Sequence, residues 1–308
     1  MAVLVLKGAN FSAKNIGQIT INRELSELTA SVMAMYAGSS SLTTKKKFAL
    51  DDFLNGLDSS GLLTKIKVLS IPALASTIQE AFKDIKGLAL VPAAGYIEGW
   101  KLSGGGVMFD SVNAILDSGT NKYTNLGAIL LASPLSLSAG LHFSAFKLTP
   151  SNGQSQNQAK LIGCFDSNGY PSLGANGSTI GASPHNVTIN TTDANLLRAK
   201  GHYILNHVRG SVPALTLAGA TDVFFKGGKL GTKTGSGLAN VTSPLQNTLT
   251  SSTQNTSSLR ILSNGTNNND YINKLDAIGM WTIGEPFSDT EAVAFNTLTE
   301  QFFTGFFA

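Results

Sequence analysis

A single cysteine in 308 residues leaves no internal disulfide to staple the fold, so packing and hydrogen bonding must hold it, and the chain suits a reducing compartment. That residue, Cys164, sits in Leu161-Ile162-Gly163-Cys164-Phe165, an apolar run typical of a buried strand. Charge is scarce as well. Only 13% of residues are charged against 42% hydrophobic, which excludes the composition of a disordered chain and suits turn-rich β architecture with an uncharged polar exterior. Long apolar runs are missing, since no segment approaches the ~20 residues that span a bilayer. Met1 to Leu6 is too short, and lacks the basic start, to be a secretion signal. The expectation is a chain made in a cytoplasm that stays soluble until it is assembled or released. The net charge of +3 has no focus except Lys45-Lys46-Lys47, which reads as a solvated face, so neither nucleic acid nor membrane is an expected partner.

The first block, residues 1–43, opens on Ala2-Val3-Leu4-Val5-Leu6, a strand pattern, and turns at Gly8-Ala9-Asn10-Phe11-Ser12. Asn22 is placed to cap a helix carrying Leu25, Leu28, Val32 and Met35 at three- and four-residue spacing, with Gly38 ending it. So small a unit cannot bury that stripe alone. It must pack on the rest of the chain, on a sister subunit or on another protein. Residues 44–87 read as a helical connector: Phe48 to Leu57 forms a helix stopped near Gly61, and Ser76 begins a further helical stretch containing Glu80.

From Leu88 the texture changes to short β-type runs, at Gly106 to Phe109, Ala128 to Leu131, His142 to Phe146, Lys160 to Phe165, Val187 to Ile189, His202 to His207, Ala214 to Leu217, Asp222 to Phe225 and Leu259 to Leu262. Glycine, proline, serine or asparagine separates most of them, which indicates a sandwich or barrel. Ile278 to Gly284 reads as a last core strand. Ser288-Asp289-Thr290-Glu291 is a capping box opening a helix whose apolar face, Val293, Phe295, Leu298, Phe302, Phe303 and Phe306, suits docking on a sheet.

Three stretches in this order carry a resemblance. Phe53 to Ile66 with Val68 to Ile71, then His202 to Arg209, then Ala277 to Gly284 with Phe287 to Glu291, resemble the concanavalin A-like (laminin G-like) sandwich of phage tail and head appendages. Gly8 to Ser12 is similar to N-terminal segments of phage fibre proteins. The resemblance implies a mainly β, concanavalin A-like jelly-roll sandwich over 88–308 with a C-terminal packed helix, preceded by an N-terminal strand-helix segment and the helical connector. It further implies a virion structural protein, attached to other virion proteins through residues 1–43; the apolar stripe of the first helix points to a homo-oligomer, and the analogy with fibres makes it a trimer.

Sandwiches of this kind include glucanases, which need two facing carboxylates, as in Glu-x-Asp-x-x-Glu. No such triplet occurs, and Glu98 has no second carboxylate at strand spacing before Asp110. The chain therefore reads as a non-enzyme; a depolymerase acting through Glu98 or Asp110 is the less favoured alternative. His202 and His207, five apart, fall on opposite faces of a strand, so no metal site or cofactor is assigned. Asp166-Ser167-Asn168-Gly169 reads as a hairpin turn, with a loop calcium of the lectin type left open. Gly227 to Gly235 fails the phosphate-loop spacing and reads as a flexible hairpin connection.

Positive binding signals lie in segments rich in amides and hydroxyls: Asn152 to Gln158, Asp166 to Tyr170, Ser243 to Ser258 and Asn264 to Tyr271. Amides and carboxylates meet sugar hydroxyls, and an aromatic ring covers the apolar face of a pyranose. The glycan-binding candidates are Asp166, Asn168, Tyr170, Asn267, Asn268, Asn269 and Tyr271. The reading is a virion appendage or decoration protein displaying a glycan-binding sandwich, with a purely architectural role as its rival.

Overall fold

The computed structural model describes residues 23–86, 90–92, 100–103, 105–109, 128–131, 135–136, 140–148, 159–165, 172–176, 179–182, 199–209, 219–234, 248–249, 258–261 and 277–308. The expected strands at Ala2 to Leu6, Val187 to Ile189 and Ala214 to Leu217 lie outside these residues.

The first helix, α1 (Glu27–Ala34), is capped by Ser26, whose hydroxyl accepts from Thr29 N–H. It starts later than the expected Asn22 cap, itself outside the described residues, and stops before Gly38. The Ser39 hydroxyl donates to the Met33 carbonyl at 2.6 Å, which satisfies the end of the helix and turns the chain into a 3-10 segment, Ala37–Ser41. The stripe packs inside the same chain, with Val32 and Tyr36 buried and Leu28, Met33 and Met35 against the core. Of the three ways to cover it, the chain uses its own core, and the stripe gives no motive for self-association.

Helix α2 (Thr44–Ser59) buries Leu50, Phe53, Leu54 and Leu57 and is followed by Gly61 at φ +72°, a left-handed position suited to glycine. A single turn, α3 (Leu62–Lys65), leads into strand β1 (Ile66–Ser70). The helical pack expected over 44–87 thus holds only for its first part. After β1 come 3-10 turns at Pro72–Leu74 and Glu80–Phe82 in place of a third helix. The cause is Glu80, whose carboxylate turns back to accept from Ser76 N–H, the Ser76 hydroxyl and Ala37 N–H, competing with helical bonding.

The remaining strands are β2 (Leu90–Pro92), β3 (Trp100–Ser103), β4 (Gly106–Phe109), β5 (Ala128–Leu131), β6 (Leu135–Ser136), β7 (Gly140–Lys147), β8 (Ala159–Phe165), β9 (Ser172–Asn176), β10 (Thr179–Ala182), β11 (Gly201–Arg209), β12 (Gly219–Phe225), β13 (Gly228–Thr234), β14 (Thr248–Leu249), β15 (Ser258–Ile261) and β16 (Ile278–Gly284). One sheet has eight strands, β13-β12-β11-β7-β16-β4-β3, with β1 also paired to β16; the other has six, β10-β9-β8-β15-β5-β2. The strands β6 and β14 form a separate pair. The paired strands run antiparallel, and the neighbours β7-β16 and β8-β15 are far apart in sequence, as a jelly-roll sandwich requires. The segment from Gly227, expected as a flexible hairpin connection, does turn a hairpin, but Gly228–Thr234 is its second strand, β13. Lys226 (φ 48°) and Gly227 (φ 81°) make a two-residue hairpin turn, whose twist matches the flanking strands.

The C-terminal helix, α4 (Asp289–Phe307), opens with the capping box: Glu291 N–H donates to the Ser288 hydroxyl, and Ser288 N–H donates to the Glu291 carboxylate. Phe295, Phe302, Phe303 and Phe306 are buried, each contributing about 2 kcal/mol or more by leaving water. Phe302 stacks on Phe53 of α2, and Phe303 on Phe146 of β7. Val293, expected on this face, is 38% exposed, because the turn geometry brings Ala292 inward instead. The mainly β sandwich with its packed terminal helix is thus present, with α2 and α4 covering one face of the eight-stranded sheet. The opposite face, carrying Phe143, Ala145, Tyr203, Leu205, Val223, Trp281 and Ile283, is also buried.

Two glycine substitutions separate local strain from packing. A methyl group on Gly61 meets nothing within 4 Å, whereas one on Gly284 would lie 2.2 Å from the Lys65 carbonyl, where β1 meets β16. Denaturant titration should show Gly61→Ala costing about 1 kcal/mol through its left-handed backbone. Gly284→Ala should cost more than about 2 kcal/mol by displacing β1.

Candidate functional site

The seven glycan-binding candidates, Asp166, Asn168, Tyr170, Asn267, Asn268, Asn269 and Tyr271, lie outside the described residues, as do Glu98 and Asp110. Where their segments join the fold is described. All four amide-rich segments enter or leave one hydrogen-bonded pair, β8 and β15. Asn152 to Gln158 leads into Ala159 of β8, and Asp166 to Tyr170 follows Phe165 at its other end. Ser243 to Ser258 leads into β15, and Asn264 to Tyr271 follows Ile261 beyond it.

The pairing is antiparallel, with Ser258 opposite Phe165 and Ile261 opposite Ile162. Strands in such a pair lie about 5 Å apart. The segment bearing Asp166, Asn168 and Tyr170 therefore starts beside the segment that arrives at Ser258. The segment bearing Asn267, Asn268, Asn269 and Tyr271 starts at the opposite end of the pair, the end from which Asn152 to Gln158 enters. The two candidate segments therefore leave the β8-β15 pair from opposite ends, Phe165 and Ile261.

A second group of polar side chains, missed as a group in the sequence, is brought together beneath α4. His142 on β7 is fully buried and stacks on Phe287 at 4.0 Å. Its Nδ1 lies 2.6 Å from the Glu285 carbonyl and its Nε2 3.1 Å from the Thr282 hydroxyl, which lies 2.6 Å from the Ser144 hydroxyl. A carbonyl only accepts, so the proton is assigned to Nδ1 and the Thr282 hydroxyl donates to Nε2. His202 on β11 is equally buried, edge-on to Phe295, with no hydrogen bond to either ring nitrogen. Asn206 clamps the turn into α4: its amide donates to the Phe287 carbonyl at 2.7 Å, and its oxygen accepts from Phe287 N–H at 2.8 Å.

Burial disfavours the charged imidazolium. It pushes His142 down to about 3 against a weaker opposing bond to the Glu285 carbonyl, and His202 well below the usual histidine value, helped by repulsion from His142. Both rings are neutral at pH 7. A folded value below the unfolded one means that protons bind the unfolded chain more readily. This contribution to stability is complete above the ordinary histidine value near 6.5 and is lost as pH falls toward about 3.

Several carboxylates serve as fasteners. Asp51 accepts from the Ser26 backbone N–H and hydroxyl and pairs with Arg23. Burial alone would raise its value, and these bonds outweigh it, holding the carboxyl to about 2. The Asp84 carboxylate accepts from Leu69 N–H at 2.7 Å, and Glu300 accepts from His202 N–H at 2.6 Å. Between α2 and α4 lies a groove of 180 Å³ lined by Ala49, Asp52, Phe53, Leu298, Gln301, Phe302 and Gly305. Asp52 on its rim is paired with Arg23 at 2.6 Å. Among the described residues no cluster of three or more His, Cys, Asp or Glu side chains is arranged to hold a metal ion, and no helix is long and apolar enough to cross a membrane.

No protein-family model matches the chain, and no curated protein matches it in sequence. Among solved structures it is similar to the binding domain of botulinum neurotoxin serotype D, with 11% identity and a TM-score of 0.44 over 74% of this chain and 50% of that one. It is also similar to the binding domain of Paraclostridial Mosquitocidal Protein 1, with 12% identity and a TM-score of 0.43 over 77% and 53%. A third is the native heptameric SAP-like pentraxin from Limulus polyphemus, with 12% identity and a TM-score of 0.31 over 53% and 71%. The chain spans about half the length of the toxin binding domains it matches.

Replacing Asn206 by Ala leaves the Phe287 N–H and carbonyl buried without partners. Equilibrium unfolding should show a loss of about 3 kcal/mol.

Proposed function

We propose that this chain is a non-catalytic, lectin-like display protein of a phage particle, binding host-surface or environmental glycans at the two ends of the β8-β15 pair. The observation that carries the glycan reading is the rooting of all four amide- and hydroxyl-rich segments on that one pair, two at each end. Segments of this composition supply the donors, acceptors and aromatic faces that a pyranose needs, and they are rooted on paired strands. Asp166, Asn168 and Tyr170 form one contact set, and Asn267, Asn268, Asn269 and Tyr271 the other.

The virion reading rests on the ordered resemblance. The segments that carry it lie together in the fold, β1 paired with β16 and α2 packed on α4 through Phe53 and Phe302, which bears on the sandwich and not on the virion role. Residues 1–43 are the proposed attachment segment, 44–87 the connector and 88–308 the display domain. Homo-oligomerisation, as a trimer, belongs to the same proposal and has the fibre analogy alone behind it, since the stripe on α1 is used within the chain.

Retention of the intact protein on a glycan array and on host cells is the test. Tyr170→Ala and Tyr271→Ala should each weaken binding by its own contact set about tenfold, a loss of about 1.4 kcal/mol, and the double variant should weaken both sets and lower retention below either single variant. Absence of retention on any array or cell surface would favour the architectural role. Release of reducing ends from host polysaccharide, lost on Glu98→Gln or Asp110→Asn, would replace the proposal with a depolymerase.

A further inference from the structure

Two fully buried imidazoles meet the same side chain, Phe295 of α4, from adjacent strands of the eight-stranded sheet. His202 lies 4.9 Å from it and His142 6.2 Å, measured between ring centres. Their settings differ. His142 has a hydrogen-bond partner on each nitrogen, and the Thr282 hydroxyl can rotate to accept if Nε2 gains a proton. His202 has none, and the nearby Asn296 of α4, which donates to the His202 carbonyl, keeps its own oxygen buried and unpartnered.

The charged groups around this seam are already engaged. From α4, Glu300 accepts the His202 backbone N–H and faces Lys200 and Lys226. Glu291 pairs with Lys65, which itself repels a charge on His142. From the strand ends, Glu285 pairs with Lys67, and Asp222 and Asp289 share Lys229. Lys147 is buried on β7 and has partners of its own. Among the described residues no carboxylate is hydrogen-bonded to either ring. A proton arriving on His202 would charge a buried ring that has no hydrogen-bond partner, packed perpendicular to Phe295, while the Glu300 carboxylate beside it is held on the His202 backbone N–H; the simplest relief is to move the helix that closes the site.

We propose that α4 is an acid-released cover: protonation of His202 and His142 frees the helix from the eight-stranded sheet while the sheet stays paired. The low folded-state values of both histidines agree with this. What emerges is the buried face of α4, with Phe295, Phe302, Phe303 and Phe306. The strands beneath keep their own ladders, since β7 is bonded to both β11 and β16.

Hydrogen exchange of the full chain between pH 7.5 and 4.5, corrected for the intrinsic pH dependence of exchange, reads the release directly. Below pH 6.5, α4 amides should lose protection by about tenfold per pH unit for each histidine, while β7 and β11 stay protected. An apolar dye should bind over the same range. His202→Phe should halve the logarithmic slope. Should that variant not fold, His142→Gln, which keeps an amide toward Glu285 and Thr282, reads the same halving. Constant protection of α4 down to pH 4.5 overturns the proposal. So does loss of protection in β7 and β11 in step with α4, or an unchanged slope in the folded variant.

Discussion

Strand β16 is buried on both faces from Ile278 to Gly284, so the chain must supply an apolar cover for each. On one face it does so with its own continuation. The turn after Gly284, clamped by Asn206, sends α4 back across Met280 and Phe146, and α2 joins α4 to complete the layer. The other edge of β16 is shared between β1 and β4, so residues far ahead of the sandwich in sequence close its central sheet.

The helix-covered face is less apolar than a core of this size needs to be. His142, Ser144, Thr282, His202, Asn206, Asn296 and Thr299 are all buried there. Most are hydrogen-bonded in ways that fix register or turn geometry, as Asn206 does for Phe287. His202 is the exception, and its ring is the reason the docking of α4 should respond to pH. Phenylalanine packing favours the closed state, and the neutral imidazoles make that state conditional.

Much of this fold was legible. Gly106 to Phe109, Ala128 to Leu131 and Ile278 to Gly284 were read with their observed bounds, because apolar β-type runs ended by turn residues leave little choice. The capping box at Ser288 was equally plain. Strand β1 was hidden, since Leu62 to Leu69 has leucines and lysines that also suit a helix, and pairing with β16 decides its state. The glycines of β13 hid it for a similar reason. The polar seam was beyond reach, because the partners of Asn206 and His142 lie 81 and 143 residues away. The candidate binding residues were legible as composition only. That their segments leave the β8-β15 pair from opposite ends became visible once the register of β8 with β15 was known.

The central claim is that ligand meets this sandwich at the ends of β8 and β15 and not on its helical layer. Amide chemical-shift mapping of the intact chain, with a glycan that the array retains, tests it most directly. The account predicts perturbations at Phe165 and Ser258, at Ala159 and Ile261, or at both ends, with α2 and α4 unmoved. Perturbations confined to the α2-α4 groove around Asp52 and Gln301 would contradict it.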